Sequence, residues 1–203
     1  MSRYTGPRVK VMRALGVELP GLSTKKIERR PYRPGQHGQA RRKLSEYALR
    51  LLEKQKLRMN YGISERQLRG LMEEAKASKD TTGNKLIELL ERRLDNVVFR
   101  AGFARTIPAA RQLVNHGHIL VGGRRVDIAS FRVAKGQVIS VRERSWVLTP
   151  VKEGAAVAET FQTPWLQVEK DSYQATVTAL PDETSTLFPV QLQLVVEFYS
   201  QKL

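Results

Sequence analysis

The stretch "ARQLVNHGHILVGGRRV", Ala110–Val126, changes its period halfway along. Ala110, Leu113 and Val114 recur at helical spacing, and then the pattern becomes that of a strand. Gly117 stands where a helix would end in a left-handed residue. Gly122-Gly123 stands where a two-residue hairpin would turn, since both central positions then need positive φ. The stretch therefore predicts a short helix, a glycine stop, and a hairpin of His118–Val121 with Arg124–Asp127. In that register Ile119 faces Val126 and His118 faces Asp127. Upstream, Thr106 is placed to cap the helix, with Pro108 tolerated in its first turn. Downstream, Gln137–Arg142 reads as another strand, entered through a turn at Gly136. "WLQVEK" and "YQATVTAL" read as further strand pieces split by turn residues.

Before the hairpin, the pattern is helical. In a first helix Leu44, Ala48, Leu51, Gln55 and Met59 share a face, and Gly62 ends it. A second opens at "ISERQL", with Ser64 and Gln67 spaced as a capping box and Ile63 placed to staple to Leu68. Leu68, Leu71, Met72 and Ala75 supply its buried face. The third is "TGNKLIELLERRLDNVVFRAG". Leu86, Leu90, Leu94, Val97 and Val98 line one side, and Lys85, Glu88, Arg92 and Asp95 the other, with Gly102 closing it. The last stretch, "PVQLQLVVEFYS", alternates like a strand and also fits a short helix after Pro189. Its periodicity leaves both open.

Charge separates the chain into regions. Over the whole 203 residues, 35 Lys/Arg face 20 Asp/Glu. Residues 1–60 hold sixteen Lys/Arg and four Asp/Glu, and residues 105–144 hold eight and two. Residues 61–104 are nearly balanced, and residues 145–203 are acidic. An unbalanced excess repels itself and favours a polyanion, which gains by counterion release. The first forty residues are rich in Arg, Lys, Pro and Gly, too poor in apolar residues for their own core. They read as an arm shaped by its partner, with Tyr4, Tyr32 and His37 as flat rings for stacking on bases. At the helix–hairpin elbow, Arg105, Arg111, Arg124 and Arg125 lie near the edges, and Asn115, His116 and His118 add hydrogen-bonding groups. The helix N-terminus offers N–H groups and a positive dipole end to phosphates. Such a concave basic surface suits RNA shape more than base sequence.

With no cysteine, the chain has no disulfide framework, thiolate metal site or cysteine nucleophile. The first residues lack the apolar run of a signal peptide, and no stretch approaches the ~20 apolar residues of a membrane span. The expectation is a soluble cytoplasmic protein, an organelle stroma being the other compartment compatible with it.

The segment "RLDNVVFRAGFARTIPAARQLVNHGHILVGGRRVDIASFRVAKGQVISVRE" resembles the alpha-L RNA-binding domain. Three further blocks, "SRYTGPRVK", "RPYRPGQHGQARRK" with the SEY, RLLEKQKLR and YG that follow, and "LVVEFYS", resemble the family of ribosomal small-subunit protein four, in that family's order. The resemblance implies an α+β fold: a basic extended arm over 1–40, and a small helical domain over 41–104 completed by 190–203. An inserted alpha-L domain of helices plus antiparallel sheet follows over 92–152, with 153–189 as the rest of the β-containing part. It also favours the helical form of the closing stretch. The implied partner is small-subunit ribosomal RNA, bound early in assembly by a monomer within the ribosome. Neighbours would be small-subunit proteins three and five and messenger RNA near its entry path, with an influence on decoding accuracy.

By the same resemblance Arg92, Arg105, Arg111, Gln112, His116, Gly117 and His118 occupy motif positions of the RNA face. Arg33, Gln36, His37, Gly38, Gln39, Arg41, Arg42 and Lys43 occupy those of the arm. Arg3, Arg8, Lys10, Lys54, Lys56, Arg58, Asn115 and Arg124 complete the expected RNA-binding set. Many members hold zinc through arm cysteines. This chain has none, so no metal or other cofactor is expected and the arm should be ordered by RNA alone.

An enzyme is the main alternative. Arg93-Leu94-Asp95 resembles the Arg-Leu-Asp of pseudouridine synthases, whose aspartate is catalytic. Here Asn96-Val97-Val98 follows in place of Thr-Ser-Gly, and the position lies within a helical pattern, which makes Asp95 a solvated helix residue or salt-bridge partner and the protein no enzyme. His116-x-His118 offers too few ligands for zinc. A membrane-surface role lacks the apolar face or lipidation signal that stable attachment needs.

Overall fold

The computed structural model describes residues 4–40, 43–155, 163–169 and 171–200. The chain forms two compact units, Met1–Leu86 with Thr186–Leu203, and Ile87–Ser185. The α+β class expected from the sequence is what the fold shows, with helices throughout and one antiparallel sheet in the second unit.

In the first unit, α1 (Arg8–Leu15), α2 (Glu46–Asn60), α3 (Glu65–Ala77) and the start of α4 (Thr82–Glu91) are joined by α8 (Leu192–Ser200). The closing stretch is thus a helix, and Val195, Phe198 and Tyr199 bury its inner face. It packs chiefly on α2. The Ser64–Gln67 capping box of α3 is formed, with Leu68, Met72 and Ala75 buried and Leu71 half-buried. The face of α2 differs from expectation. Leu44, Ala48, Leu51, Gln55 and Met59 are half-buried, while Glu53, Lys54, Leu57 and Asn60 are buried. Polar side chains hold that face because each finds a partner. Glu53 accepts from the Gln191 N–H (3.0 Å), Lys54 pairs with Glu65 (2.9 Å), and Asn60 accepts from the Gly21 N–H (3.0 Å).

The arm also departs from a segment ordered by RNA alone. Met12, Leu19 and Leu22 are buried, and α1 ends at Gly16 in the left-handed region. Its few apolar residues make no core of their own, but they are enough to dock α1 against α2.

The second unit holds α5 (Leu94–Arg100), α6 (Ile107–Asn115), β1 (Ile119–Val121), β2 (Arg124–Arg125), β3 (Val138–Val141), α7 (Thr149–Ala155), β4 (Leu166–Glu169) and β5 (Gln174–Val177). Among the described residues these strands form one antiparallel sheet in the order β2-β1-β3-β5-β4. Burial alternates along them. Ile119, Val121, Ile139, Val141, Ala175 and Val177 turn to one face, as a sheet covered on one side requires. The hairpin has the expected register, with Leu120 opposite Arg125 and the Val126 N–H donating to the Ile119 carbonyl. Gly122 (φ 55°) and Gly123 (φ 78°) supply its turn.

The single long helix expected through Gly102 is in fact two. It breaks at Arg92–Arg93, where Arg93 is extended (φ −63°, ψ 135°) and bridges Arg132. The break is stabilised from outside the helix. The N–H groups of Leu94 and Asp95 donate to Phe131 and Ala129, and the Val133 N–H donates to Arg92. The apolar spacing runs unbroken through the gap, so periodicity alone joins the two helices. Nor is the opposite side solvated: Glu88, Glu91, Arg93, Asp95, Asn96 and Arg100 are buried.

Candidate RNA-binding surface

The elbow is built from local rules. Thr106 caps α6 by accepting from the Ala109 N–H, with a proline in the first turn. At the other end, the N–H groups of His116, Gly117 and His118 donate to Gln112, Val114 and Leu113, and Gly117 (φ 73°) takes the left-handed stop. Gln112, Asn115 and His116 are exposed there, and the His118 ring is half-buried.

Gly117 is the hub. The Arg125 guanidinium lies against it, where a β-carbon would collide. Arg142 Nη1 donates to its carbonyl (3.4 Å). The rings of His116 and His118 stand 6.0 Å apart, and His118 Nδ1 is hydrogen-bonded to Ser145 Oγ (2.9 Å). Burial, and then the positive charges of His116, Arg142 and Arg125, hold the His118 imidazole below the ordinary histidine value. A phosphate at this spot would relieve that repulsion.

The polar rim lies at the C-terminal end of α6, not at the N-terminus as the dipole argument expected. Thr106 and Ile107 at the N-terminus are buried. The C-terminal end carries the negative pole of the dipole, so any anion here must be held by side-chain charge. Arg125, Arg142 and exposed Arg124 supply it. Arg142 and Arg144 lie outside the expected set. The charge excess over residues 105–144 was the one signal pointing to them.

Other expected positions are engaged within the fold. Arg92 donates to Glu88 (2.7 Å) and to the Val133 carbonyl (2.9 Å). Arg105 pairs with Glu153 (3.2 Å) at the surface. Arg111 is bound twice to the fully buried Asp95 carboxylate, at 3.1 and 2.6 Å. In the first unit Lys54, 5% exposed, lies against Glu65 and 4.8 Å from the Phe198 ring centroid. Lys56 pairs with Glu53, and half-buried Arg58 donates to Gln55. Arg8 donates to the Leu22 carbonyl (3.3 Å).

The arm contributes its own surface. Gly35 (φ 104°) opens two successive turns, with the Gly38 N–H donating to Gly35 and the Ala40 N–H to His37. Any side chain at Gly38 would run into the Arg33 carbonyl. The turns leave Gln36, His37 and Gln39 exposed, with Arg33 half-buried beneath. Lys10, Lys43, Tyr4 and Tyr32 are exposed too, and the Arg13 guanidinium lies 5.1 Å from the Tyr32 ring centroid. Arg3, Arg41 and Arg42 lie outside the described residues. Lys25, Lys26, Arg29 and Arg30 are exposed basic residues of the arm that the motif-based set left out.

Comparison with known proteins bears on both surfaces. The family model described as "Ribosomal protein S4/S9 N-terminal domain" matches residues 3–91, and the "S4 domain" model matches residues 92–139. The chain is 54% identical over 205 residues to small ribosomal subunit protein uS4 of Methylobacillus flagellatus, with all of both chains covered. It is 52% identical over 203 residues to that of Synechococcus elongatus, and 50% over 206 residues to uS4B of Nitrosomonas europaea, again over the whole of each chain.

Proposed function

Because the chain belongs to the small ribosomal subunit protein uS4 family, and so is an RNA-binding ribosomal protein and no enzyme, we propose that it grips small-subunit ribosomal RNA directly and early in assembly. Its footholds are the arm, through Gln36, His37 and Gln39 on its exposed turns together with Lys10, Arg41, Arg42 and Lys43, and the elbow around Gly117, with Gln112, Asn115, His116, His118 and Arg124. Arg3, Arg8, Arg33, Gly38 and Arg105 belong to the same two regions. The bound protein lies beside small-subunit proteins three and five near the messenger entry path and influences decoding accuracy.

The observation that carries this reading is the grouping at Gly117. The Arg125 guanidinium packs against Gly117 where a β-carbon would sit, Arg142 donates to its carbonyl, and the His116 and His118 rings flank it. Arg125 also stands 3.8 Å from the Asp127 carboxylate, and the excess of positive groups around it suits phosphate oxygens.

Titrating the full chain with small-subunit ribosomal RNA across a salt series tests it. Neutralising eight phosphates predicts a log–log slope of about −7 at duplex charge density, shallower for single strands. A slope near zero would show that the protein does not hold the RNA by its charge.

A further inference from the structure

We infer that Arg111 serves the RNA face as a positioning residue, acting through Asp95, and does not itself neutralise a phosphate. The inference rests on the RNA-binding reading of the elbow.

Arg111 sits at the centre of α6, one residue before Gln112 and four before Asn115. Its side chain is 14% exposed, and both Nε and Nη2 donate to Asp95 Oδ2. Asp95 is itself held in place by other bonds. It is fully buried, and it also accepts from Arg93 Nε (3.1 Å), Arg93 Nη2 (2.8 Å) and the Asn96 N–H (3.0 Å). Arg93 in turn is bridged through its backbone to Arg132. A continuous set of bonds therefore runs from the segment after the hairpin, through Arg93 and Asp95, to the middle of α6.

The apolar contacts of α6 cannot do this alone. Ala110, Leu113 and Val114 hold the helix against its neighbours, but dispersion is non-directional and tolerates small rotations about the axis. A rotation of about 20° swings a side-chain tip by about 2 Å. That is enough to break the hydrogen bonds that Gln112, Asn115 and His116 would make. Two donors of one rigid guanidinium, Nε and Nη2, fixed on the same Asp95 oxygen restrict that freedom, which a lysine ammonium on a flexible stem would not.

RNA titrations of the full chain with Arg111→Ala, Arg111→Lys, Asp95→Asn and Arg124→Ala separate the possibilities. Positioning predicts that R111A and R111K both weaken binding about ten-fold or more, with the salt slope of the wild type retained. R124A, which removes an exposed charge, should flatten the slope by about one unit. D95N should follow R111K. Full affinity in R111K, or a slope lowered by about one in R111A, would overturn the inference. Should R111A fail to fold by circular dichroism, R111K keeps the charge and an unbranched helix-forming side chain, and decides the matter alone. An absent salt slope in the wild type would instead sink the RNA-binding reading itself.

Discussion

Asp95 holds two arginines with one buried carboxylate, and Glu91 holds Arg100 and Asn96 in the same manner a turn away (2.8–2.9 Å for each side-chain bond). Such pairs are dear to desolvate, and their removal one partner at a time leaves the other charge stranded. Asp95→Ala should therefore cost about 3–5 kcal/mol in denaturant unfolding of the full chain, and a loss below about 1 kcal/mol would show the two arginines finding water or another acceptor. His118 gives a pH signature. Burial and its positive neighbours lower its folded-state value, so the unfolded chain binds the proton first as pH falls. Its contribution to stability is thus complete above about pH 6.5 and declines as pH drops through that value toward the lower folded one. Imidazole NMR should find His118 titrating below an ordinary histidine in the free protein and moving upward when RNA binds. No movement with RNA would place phosphate away from Gly117.

Caps and stops define the helices more sharply than their apolar faces do. The reciprocal bonds between Ser64 and Gln67 satisfy two N–H groups at the start of α3. Ser64→Ala should cost about 1 kcal/mol, read as a lower denaturation midpoint at unchanged m-value. An unchanged midpoint would mean that buried Ile63 and Leu68 fix that helix start without the cap. Where polar residues lie on the inner face, the element departs from its sequence pattern. Lys54 and Glu53 on α2, and Asp95 and Asn96 on α5, are polar yet buried, each against a partner. Those partners lie far along the chain, as with Gln191 for Glu53 and Arg111 for Asp95. Glu65 shows the same dependence. Burial alone would raise its carboxyl, but hydrogen bonds from Lys54 and Tyr199 outweigh that and hold it below the usual range.

Each compact unit carries basic positions of its own, the arm in one and the elbow in the other, while the acidic excess gathers after residue 145. Among the described residues no helix is long and apolar enough to cross a membrane. If the arm supplies part of the phosphate contacts, replacing Arg41, Arg42 and Lys43 together by alanine should flatten the log–log salt slope by about two to three units. A slope that stays at the wild-type value would take these three residues out of the RNA contact.

Turn chemistry and alternation along the chain specify the α6 stop, the hairpin and its register, the α3 cap and the strands after Gly136, because each depends on residues within a few positions of one another. The helical closing stretch, the break at Arg93 and the docking of α1 depend on groups distant in sequence, and spacing alone says nothing of them. The same division runs through the surface. Gln112, His116, Gln36 and His37 are exposed, but whether an arginine faces solvent or a buried carboxylate is set by its partner's position in space. Arg111 and Lys54 carry the charge of a phosphate contact, and it is the fold, by bringing Asp95 and Glu65 against them, that turns that charge inward.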